Sequence, residues 1–312
     1  MAIAAAAVDP VIAANRRAMV FMHFDPAGCV DPHVGHAVAA YRPHCGRLVF
    51  VSNAAERLPP ALAALVDTFI PRPNVGYDFC GWRDGLATLD RADFDEIVCV
   101  NDSVYGPLFD LAPALADGRV AGADLWGMVL SAQPIPGHQP EPHVQSWFFA
   151  MRRRLLASDT FDRFWSEVVP LASKREVVAR YEVGLSRQVA RDGLRIAGIY
   201  DATHAPRPTL AELLPQLSAA DLGRSWRLVR KGRRRLHNPS ELVWWRLLDA
   251  GVPFVKVNLF RTNHYGVDLG RVRRRLQRMP AYDPALLDAH QATVALAAQS
   301  LASPTCPVLC SR

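Results

Sequence analysis

The sequence has few cysteines, no long apolar run and no leader pattern, and each absence removes a class of protein. Six cysteines in 312 residues are too few for a disulfide scaffold, and no pair has the C-x-x-C spacing. No stretch reaches the about 20 apolar residues that cross a bilayer. Residues 1–11 lack the basic start and long apolar centre of a signal peptide. We therefore expect a cytoplasmic protein in a reducing compartment.

The fingerprints of several enzyme classes are also missing. The chain contains no G-x-S-x-G elbow, no P-loop and no G-x-G-x-x-G motif. These absences argue against a serine hydrolase, a P-loop kinase and an ordinary dinucleotide-dependent enzyme. Half of the residues are apolar (50%) and 21% are charged, as in a globular protein rather than a disordered, collagen-like or coiled-coil chain.

The formal charge of +6 is unevenly distributed. The excess of basic residues is concentrated in Arg224–Arg235 and Arg271–Arg278. Such runs are usually solvated surfaces, but apolar residues among the arginines also suit contact with anionic lipid headgroups. We expect peripheral contact with the inner face of the cytoplasmic membrane as a further partner. No nucleic-acid-binding module is recognisable, and no nucleic-acid partner is expected.

Short, mostly apolar segments alternate with helical patterns in the first half of the chain. Ala18–Phe24, Arg47–Ser52 and Ile97–Val100 are typical of buried parallel strands, and Asp124–Val129 and Pro253–Val257 are further strand candidates. The apolar residues between Phe79 and Leu89 recur on one helical face. This alternation predicts an α/β fold with a mainly parallel central sheet flanked by helices.

Further along the chain, helical patterns cover Thr160–Val168 and Lys174–Asp192, and Asn238-Pro239 has the form of a helix start. No internal repeat and no long linker divides the sequence. We predict one domain over residues 16–280, followed by a peripheral C-terminal helix and tail over residues 281–312.

The most informative segment is Asn74–Pro107. It has a glycine-containing turn, an amphipathic helix, a buried strand and the polar triplet Asn101-Asp102-Ser103 at the strand's carboxyl end. Ligands of open α/β sheets bind at that edge, so Asp102 is well placed to hold a metal ion or a ribose hydroxyl. The same residues are equally suited to form a turn that caps the next segment of the chain.

Five sequence blocks, taken in order, resemble the rhamnan synthesis F family. They are Asn74–Phe79, Val100–Pro107, Asp124–Met128, His143–Phe148 and Tyr181–Leu185. The resemblance covers residues 18–265. It implies a glycosyltransferase of rhamnose-rich polysaccharides or lipopolysaccharide O-chains, with a GT-A-like fold that binds a nucleotide-sugar donor and a glycan or lipid-linked glycan acceptor.

The GT-A resemblance also implies a donor site closed by an Asp-x-Asp motif and a divalent cation. Asn101-Asp102-Ser103 occupies that position with one carboxylate instead of two. Asp102 is the expected ligand of Mg²⁺ or Mn²⁺, with His264 as a second ligand. A hydrogen-bonded surface loop is the alternative for His264. Without a metal ion, a basic residue must stabilise the leaving diphosphate, and Lys256, Arg261 and His264 are candidates.

A transferase also needs a base for the acceptor hydroxyl. Glu182 is the first candidate, on a helix 80 residues after Asp102, and Asp124 is its rival. The alternative for Glu182 is a surface ion pair with Arg175, Arg180 or Arg187.

The remaining candidates form two groups. The donor pocket is expected to include Asp25, Asn74, Gly76, Tyr77, Asp78, Asn101, Ser103 and Lys256. The acceptor wall is expected to include Trp126, His143, Gln145, Ser146 and Trp147, although an aromatic strand is also typical of a core.

Soft metal ligands cluster only between Cys29 and Cys45. The cluster contains His33, His36 and His44, but its spacing matches no familiar zinc pattern, and the sequence does not favour zinc there.

The sequence therefore supports a cytoplasmic glycosyltransferase of cell-surface polysaccharide synthesis. The alternative is a non-catalytic glycan- or membrane-associated assembly protein that keeps the fold, because the Asp-x-Asp position is reduced to one carboxylate.

Overall fold

The computed structural model of the chain describes residues 12–26, 28–218, 223, 226, 229–230 and 238–302, with the backbone alone for residues 297–302. Most of the basic run 224–235 and the tail 303–312 lie outside the described residues.

The architecture is α/β, with one large central sheet and a small two-stranded one. The strands are β1 (Arg17–His23), β2 (Arg47–Ser52), β3 (Thr68–Pro71), β4 (Glu96–Asn101), β5 (Val104–Tyr105), β6 (Leu125–Ser131), β7 (His143–Val144), β8 (Phe148–Arg152), β9 (Ile196–Asp201) and β10 (Val255–Lys256).

The central sheet has the order β3-β2-β1-β4-β8-β6-β7, and β9 pairs with β6. The strands β3, β2, β1 and β4 are parallel to one another, as are β6 and β9, whereas β8 is antiparallel to β4 and β6. The carboxyl ends of β1, β2, β3 and β4 therefore meet at one edge of the sheet. The predicted fold class, with a mainly parallel central sheet flanked by helices, is confirmed.

The helices are α1 (Pro32–Tyr41), α2 (Pro60–Ala63), α3 (Tyr77–Leu86), α4 (Ala112–Leu115), α5 (Arg153–Leu156), α6 (Asp159–Ser166), α7 (Lys174–Val177), α8 (Val183–Arg191), α9 (Leu210–Leu213), α10 (Pro239–Leu242), α11 (Trp244–Asp249), α12 (Val257–Arg261), α13 (Leu269–Leu276) and α14 (Pro284–Ala302). A π-helical segment, Val178–Glu182, joins α7 to α8.

Alternate side chains of the strands face two separate apolar layers. Along β1, Met19 and Phe21 belong to one layer, whereas Val20 and Met22 belong to the other. Both faces of the sheet are thus covered, which is why its strands are apolar without a polar face. Among the described residues, no helix combines the length and apolar character that crossing a bilayer requires.

Close contact between α3 and the sheet depends on glycine. A Cβ atom at Gly81 would lie 2.2 Å from Met22 Sδ, and one at Gly85 would lie 2.4 Å from Val20 Cγ1. These two positions let α3 approach β1 closely, which places the first turn of α3 beside the carboxyl end of β4.

The small sheet joins distant parts of the chain at the same edge. β10 pairs with β5 in antiparallel register, with Lys256 opposite Val104. The backbone N–H of Val257 also donates to the carbonyl of Ser103 at 3.0 Å. This pairing places Lys256 directly beside the triplet at the end of β4.

α14 lies in the segment that the sequence predicts to be a peripheral helix and tail, residues 281–312, of which residues 303–312 are outside the described part of the chain. α14 packs against α1, and Leu287 and His290 on it are buried. The hydroxyl of Tyr105 is hydrogen-bonded to His290 Nδ1 at 2.7 Å, which ties α14 to the functional edge of the sheet.

Candidate functional site

The carboxyl ends of β1 and β4 open into a cavity of about 370 Å³. Its walls come from the loops after β1, β2 and β4, the first turn of α3, the helix that carries Glu182, the start of α12 and residue His290 of α14. Most of the residues predicted from the sequence line it, namely Asp25, Asn74, Tyr77, Asp78, Asn101, Asp102, Ser103, Ser146, Trp147, Glu182 and Lys256.

The Asn101-Asp102-Ser103 triplet is both a turn and a part of the cavity wall. Asn101 Oδ1 accepts hydrogen bonds from the backbone N–H of Ser103 at 3.1 Å and from its hydroxyl at 2.6 Å. Asn101 Nδ2 donates to Asp78 Oδ2 at 2.9 Å. The turn proposed as an alternative from the sequence is therefore present, and Asp102 within it also lines the cavity.

Asp102 lies at the cavity within electrostatic range of two further carboxylates, those of Asp78 and Asp25. Its Oδ2 accepts the backbone N–H of Phe24 at 2.7 Å. Burial, with smaller contributions from Asp78 and Asp25, raises the pKa of Asp102 to about 8. Burial also raises the pKa of Asp78 above its usual range. A cation bound here would relieve the unfavourable interaction among these carboxylates.

Two lysines, Lys256 and Lys174, bring positive charge to the wall of the cavity. Lys256 Nζ donates to Ser103 Oγ at 2.9 Å and lies 5.4 Å from the ring centre of Trp147. Burial and the nearby charge of Lys174 lower the pKa of Lys256 to about 8. The chain has only three lysines, Lys174, Lys231 and Lys256, and the first and last of them line this cavity.

Glu182 lines the same cavity from the end of the π-helical segment. Its Oε2 accepts hydrogen bonds from the backbone N–H of Ser146, at 2.8 Å, and from the Ser146 hydroxyl. Its Oε1 is 3.9 Å from His143 Nε2. The side chain of Glu182 is only 16% exposed. The surface ion pair considered from the sequence is not formed with Arg187, which pairs with Glu141 instead.

The acceptor group is only partly in the cavity. Ser146 and Trp147 line it. His143 is buried behind Glu182, with Nδ1 2.8 Å from the Glu141 carbonyl. Gln145 is buried, and its amide group bonds Trp147 Nε1 and Asn238 Oδ1. His143 and Gln145 support the wall instead of forming it.

Trp126 is corrected from an acceptor contact to a core residue. It is fully buried, and its Nε1 donates to Glu96 Oε2 at 2.7 Å. Glu96 also accepts from Arg17 at 2.6 Å and from Arg152 at 3.2 Å. This charged group lies at the amino end of β4, at the opposite end of that strand from the cavity.

Asp124, the rival base, is also placed away from the cavity. Its Oδ2 accepts the backbone N–H of Arg195 at 2.8 Å and lies 3.3 Å from Arg154 Nη1. Asp124 immediately precedes β6, where it fixes the start of the pairing with β9. Its position is explained by sheet structure.

The predicted metal pair, Asp102 with His264, is not brought together at the cavity. His264 is exposed, packs edge-on against Tyr265, and does not line the cavity. Gly76, predicted in the donor pocket, is the N-cap of α3 with a φ of 82° and does not line the cavity either. A Cβ atom at Gly76 would lie 2.2 Å from Cys80 Sγ, so its role is in the turn that presents Tyr77 and Asp78.

Sequence reasoning missed several residues of the wall. His23 is the last residue of β1 and Asn53 directly follows β2, so the strand-end pattern that indicated Asp102 would have found them. Lys174 had no signal beyond its place at the start of a helix. Asp31 and His290 also line the cavity, and His290 lies too far along the chain for any local pattern to indicate it. His33, which the sequence placed only in a cluster that did not favour zinc, lines the cavity as well.

Curated relatives are similar over part of their length. A Sinorhizobium fredii protein described as "Uncharacterized protein y4gN" is 26% identical over 158 residues, which are 49% of this chain and 40% of that protein. The "Virulence protein VirA" of Vibrio anguillarum is 25% identical over 211 residues, 66% of each chain. The chain thus matches two fifths of the first relative and just under two thirds of the second.

Solved structures give low similarity scores. Glucosyl-3-phosphoglycerate synthase from Mycobacterium tuberculosis, in complex with Mn²⁺, uridine diphosphate and glucosyl-3-phosphoglycerate, is 17% identical with a TM-score of 0.36 and covers 69% of this chain and 78% of its own. A CMP:2-keto-3-deoxy-manno-octonic acid synthetase complexed with CTP is 10% identical with a TM-score of 0.36, and the match covers 63% of this chain and 93% of that one.

The family comparison gives a match over more than half of the chain. The sequence pattern described as "Rhamnan synthesis protein F" matches residues 48–219, which include the turn before α3, the Asn101-Asp102-Ser103 triplet, Trp147 and Glu182. This match spans more than half of the chain and includes most of the cavity wall. The chain belongs to the rhamnan synthesis protein F family.

Proposed function

We propose that this protein is a glycosyltransferase that takes a sugar from a nucleotide-sugar donor and adds it to a growing cell-surface polysaccharide or O-chain. The observation that carries the proposal is one cavity in which Asp102, Lys256 and Glu182 face a common space at the carboxyl edge of the sheet. Family membership favours rhamnose or another deoxyhexose as the sugar. A lipid-linked glycan is the proposed acceptor.

The basic residues suit the leaving diphosphate. Lys256 and Lys174 line the wall, and so does Arg261 at the end of α12. As the bond from sugar to diphosphate breaks, negative charge grows on the phosphate oxygen, and a positive charge positioned there stabilises the transition state. The amine of Lys256 is held in place by Ser103 and Trp147.

The acidic residues fit a divalent cation that binds together with the donor. Mg²⁺ and Mn²⁺ usually bind one or two carboxylates and complete their coordination with substrate phosphates and water. Asp102 offers a carboxylate whose ionised form is disfavoured by burial and by the nearby charges of Asp78 and Asp25. When bound, such an ion neutralises charge on the diphosphate.

Glu182 is the proposed base. An acceptor hydroxyl that attacks the sugar must lose its proton, and a positioned carboxylate within hydrogen-bonding reach accepts it. Ser146 fixes the Glu182 carboxylate at the rim of the cavity by its backbone N–H and its hydroxyl. Trp147 provides an apolar surface beside it for a sugar ring.

Donor binding is tested first by thermal shift with UDP, GDP, dTDP and CMP, each with and without Mn²⁺. A nucleotide at about 100 times its dissociation constant adds roughly 2.7 kcal/mol to the free energy of unfolding. Asp102→Asn should remove the shift, whereas Asp93→Asn, an exposed residue before β4, should keep it.

Lysine labelling gives an independent measure of the same site. The stabilising nucleotide should protect Lys174 and Lys256 from acylation, read by mass spectrometry, while Lys231 serves as the reference. A nucleotide that protects these lysines, followed by sugar transfer to a glycan acceptor, would support the proposal. Absence of both stabilisation and protection with every nucleotide would favour the non-catalytic assembly protein.

A further inference from the structure

We infer a second metal site, built from Asp31, His33 and His290, that selects an ion of the Zn²⁺ type. One ligand atom from each of these residues lies within 4.8 Å of the other two. Asp31 and His33 lie at the start of α1, whereas His290 belongs to α14. All three are buried and line the cavity.

His33 is a buried imidazole without a hydrogen-bond partner among the described residues. Its side chain is 4% exposed, and neither Nδ1 nor Nε2 makes a hydrogen bond there. Burial of an unpaired polar group costs free energy, so such groups are normally paired or bind an ion. The His33 ring is stacked on His290, with ring centres 4.2 Å apart, which keeps the two imidazoles side by side.

His290 is oriented by its other ring nitrogen. The hydroxyl of Tyr105 is bonded to His290 Nδ1 at 2.7 Å, which leaves Nε2 to face Asp31 Oδ2 at 4.0 Å. Gln291 Nε2 donates to the same Tyr105 hydroxyl at 2.6 Å. Metal-bound histidines are typically held in this way.

Asp31 is oriented towards the same point. It is the N-cap residue of α1, yet its carboxylate makes no capping hydrogen bond to that helix. Instead, Asp31 Oδ1 accepts from Thr293 Oγ1 at 3.1 Å, and Oδ2 is the oxygen nearest to His290. The Asp31 carboxylate therefore does not cap α1, and it faces the two imidazoles instead.

The chemistry of the three ligands selects the ion. Two imidazoles and one carboxylate suit Zn²⁺, whereas Mg²⁺ and Ca²⁺ prefer oxygen ligands. Tetrahedral Zn²⁺ with ligand distances of about 2.0–2.2 Å needs the ligand atoms roughly 3.3–3.6 Å apart. Asp31 Oδ2 and His290 Nε2 are 4.0 Å apart, so the ligands must move closer together when the ion binds.

The site has two structural consequences. Its ligands come from the start of α1 and from α14, so the ion would link these two helices. Three protein ligands leave the fourth position of a tetrahedral ion open, and this position faces the cavity that the ligands line. Zn²⁺ binding does not depend on the proposed glycosyltransferase activity, because the ligands are all provided by the protein.

The test is metal binding by the full chain without any nucleotide. After removal of metals with a chelator, Zn²⁺, Mn²⁺ and Mg²⁺ are titrated separately by calorimetry. We expect one Zn²⁺ per chain, weaker binding of Mn²⁺ and no binding of Mg²⁺ at this site. Asp31→Asn and His290→Gln should each lower Zn²⁺ affinity more than 100-fold, and His264→Gln, an exposed control, should leave it unchanged.

A milder variant separates a loss of metal affinity from a loss of folding. Thr293→Val removes only the hydrogen bond to Asp31 and should lower Zn²⁺ affinity about 10-fold. Co²⁺ absorption of the tetrahedral type in the wild type, lost in His290→Gln, would support the same ligand set. Absence of Zn²⁺ binding, or equal affinity in the Asp31, His290 and His264 variants, would overturn the inference. Either result leaves the nucleotide experiment independent.

Discussion

The Glu182 carboxylate lines the cavity and is held there by hydrogen bonds from the backbone N–H and the hydroxyl of Ser146. Replacement of Glu182 by Gln keeps the shape and removes the proton acceptor. If the proposed transfer takes place here, turnover should fall by about 10²- to 10⁴-fold while nucleotide affinity stays the same. Kinetics of sugar transfer and nucleotide thermal shifts measure the two effects separately.

The control is Glu141→Gln. Glu141 pairs with Arg187 on the same side of the molecule but is not part of the cavity wall. Its variant should transfer sugar at the wild-type rate. Unchanged turnover in Glu182→Gln would remove Glu182 from the mechanism.

His23 provides a pH-dependent term in stability. It is 1% exposed and lies 2.9 Å from Ser52 Oγ, and burial lowers its pKa from 6.5 to about 4. The unfolded chain binds this proton below about pH 6.5, whereas the folded chain does not until about pH 4. Stability from this group is therefore lost as the pH falls through that window.

The measurement must be a difference, because the raised pKa values of Asp31 and Asp102 act in the opposite direction. From pH 7.5 to pH 5, wild type should lose about 1–2 kcal/mol of unfolding free energy relative to His23→Gln. Urea unfolding at both pH values gives the result. A constant difference across the range would contradict a buried neutral His23.

Candidate site residues could be predicted from the sequence most directly where several polar residues lie together at the end of one strand. Asp102 and its neighbours were proposed because they are polar residues that directly follow an apolar strand. Asp78 was proposed because it lies in the first turn of α3, just after the glycine-containing turn. Asp124 is also a carboxylate next to an apolar strand, but it precedes β6 instead of following it. Its carboxylate therefore faces the opposite end of the sheet, and only the strand boundary could reveal this.

At the scale of elements, β4 carries a charged group inside the core. Glu96 is fully buried and contacts Arg17, Arg152 and Trp126. Glu96→Gln would leave the buried guanidinium of Arg17 without its countercharge. We expect a loss of about 3–5 kcal/mol of unfolding free energy, measured by urea denaturation with an unchanged m-value.

The adjacent residue gives a matched control. Asp95 pairs with Arg16, but both side chains are about two fifths exposed. Asp95→Asn should therefore cost no more than about 1 kcal/mol. Equal losses in the two variants would show that burial does not distinguish the pairs.

Element prediction succeeded for long apolar segments and failed for short or partly polar ones. β1, β2 and β4 lie where the apolar runs predicted them. β3 and β9 were missed, because their side chains are mostly half-exposed and their strands gain stability from pairing with neighbours. Pro253–Val257 gave only the two-residue strand β10, since α12 begins at Val257.

The whole molecule carries much of its positive charge on arginine. Three arginines of α13 are already in ion pairs, so fewer of them can bind an anionic surface than the sequence suggests. Arg273, Arg274 and Arg275 pair with Asp288, Asp268 and Asp249. Arg271 and Arg278 lie in a groove beside Trp244. If this groove meets an anionic membrane, vesicle binding should weaken with salt, because exposed charges are screened.

A vesicle sedimentation assay tests this expectation. Arg271→Gln combined with Arg278→Gln should lower binding to anionic vesicles by about tenfold or more, at about 1 kcal/mol for each charge. Arg91→Gln, which breaks an exposed pair with Asp162, is the control. Equal binding by all three proteins would place the membrane contact elsewhere or remove it.

Separation along the chain also affects synthesis. Ser103 contacts Lys256, 153 positions later, and Asp31 contacts Thr293, 262 positions later. At about 5–20 residues per second, a ribosome needs on the order of 10–50 s between the first and last of these residues. During that interval the early strands can pair, but the far wall does not yet exist. The cavity wall is therefore complete only after α14 has been synthesised, and a molecule that needs the whole wall cannot stabilise the nascent chain before that point.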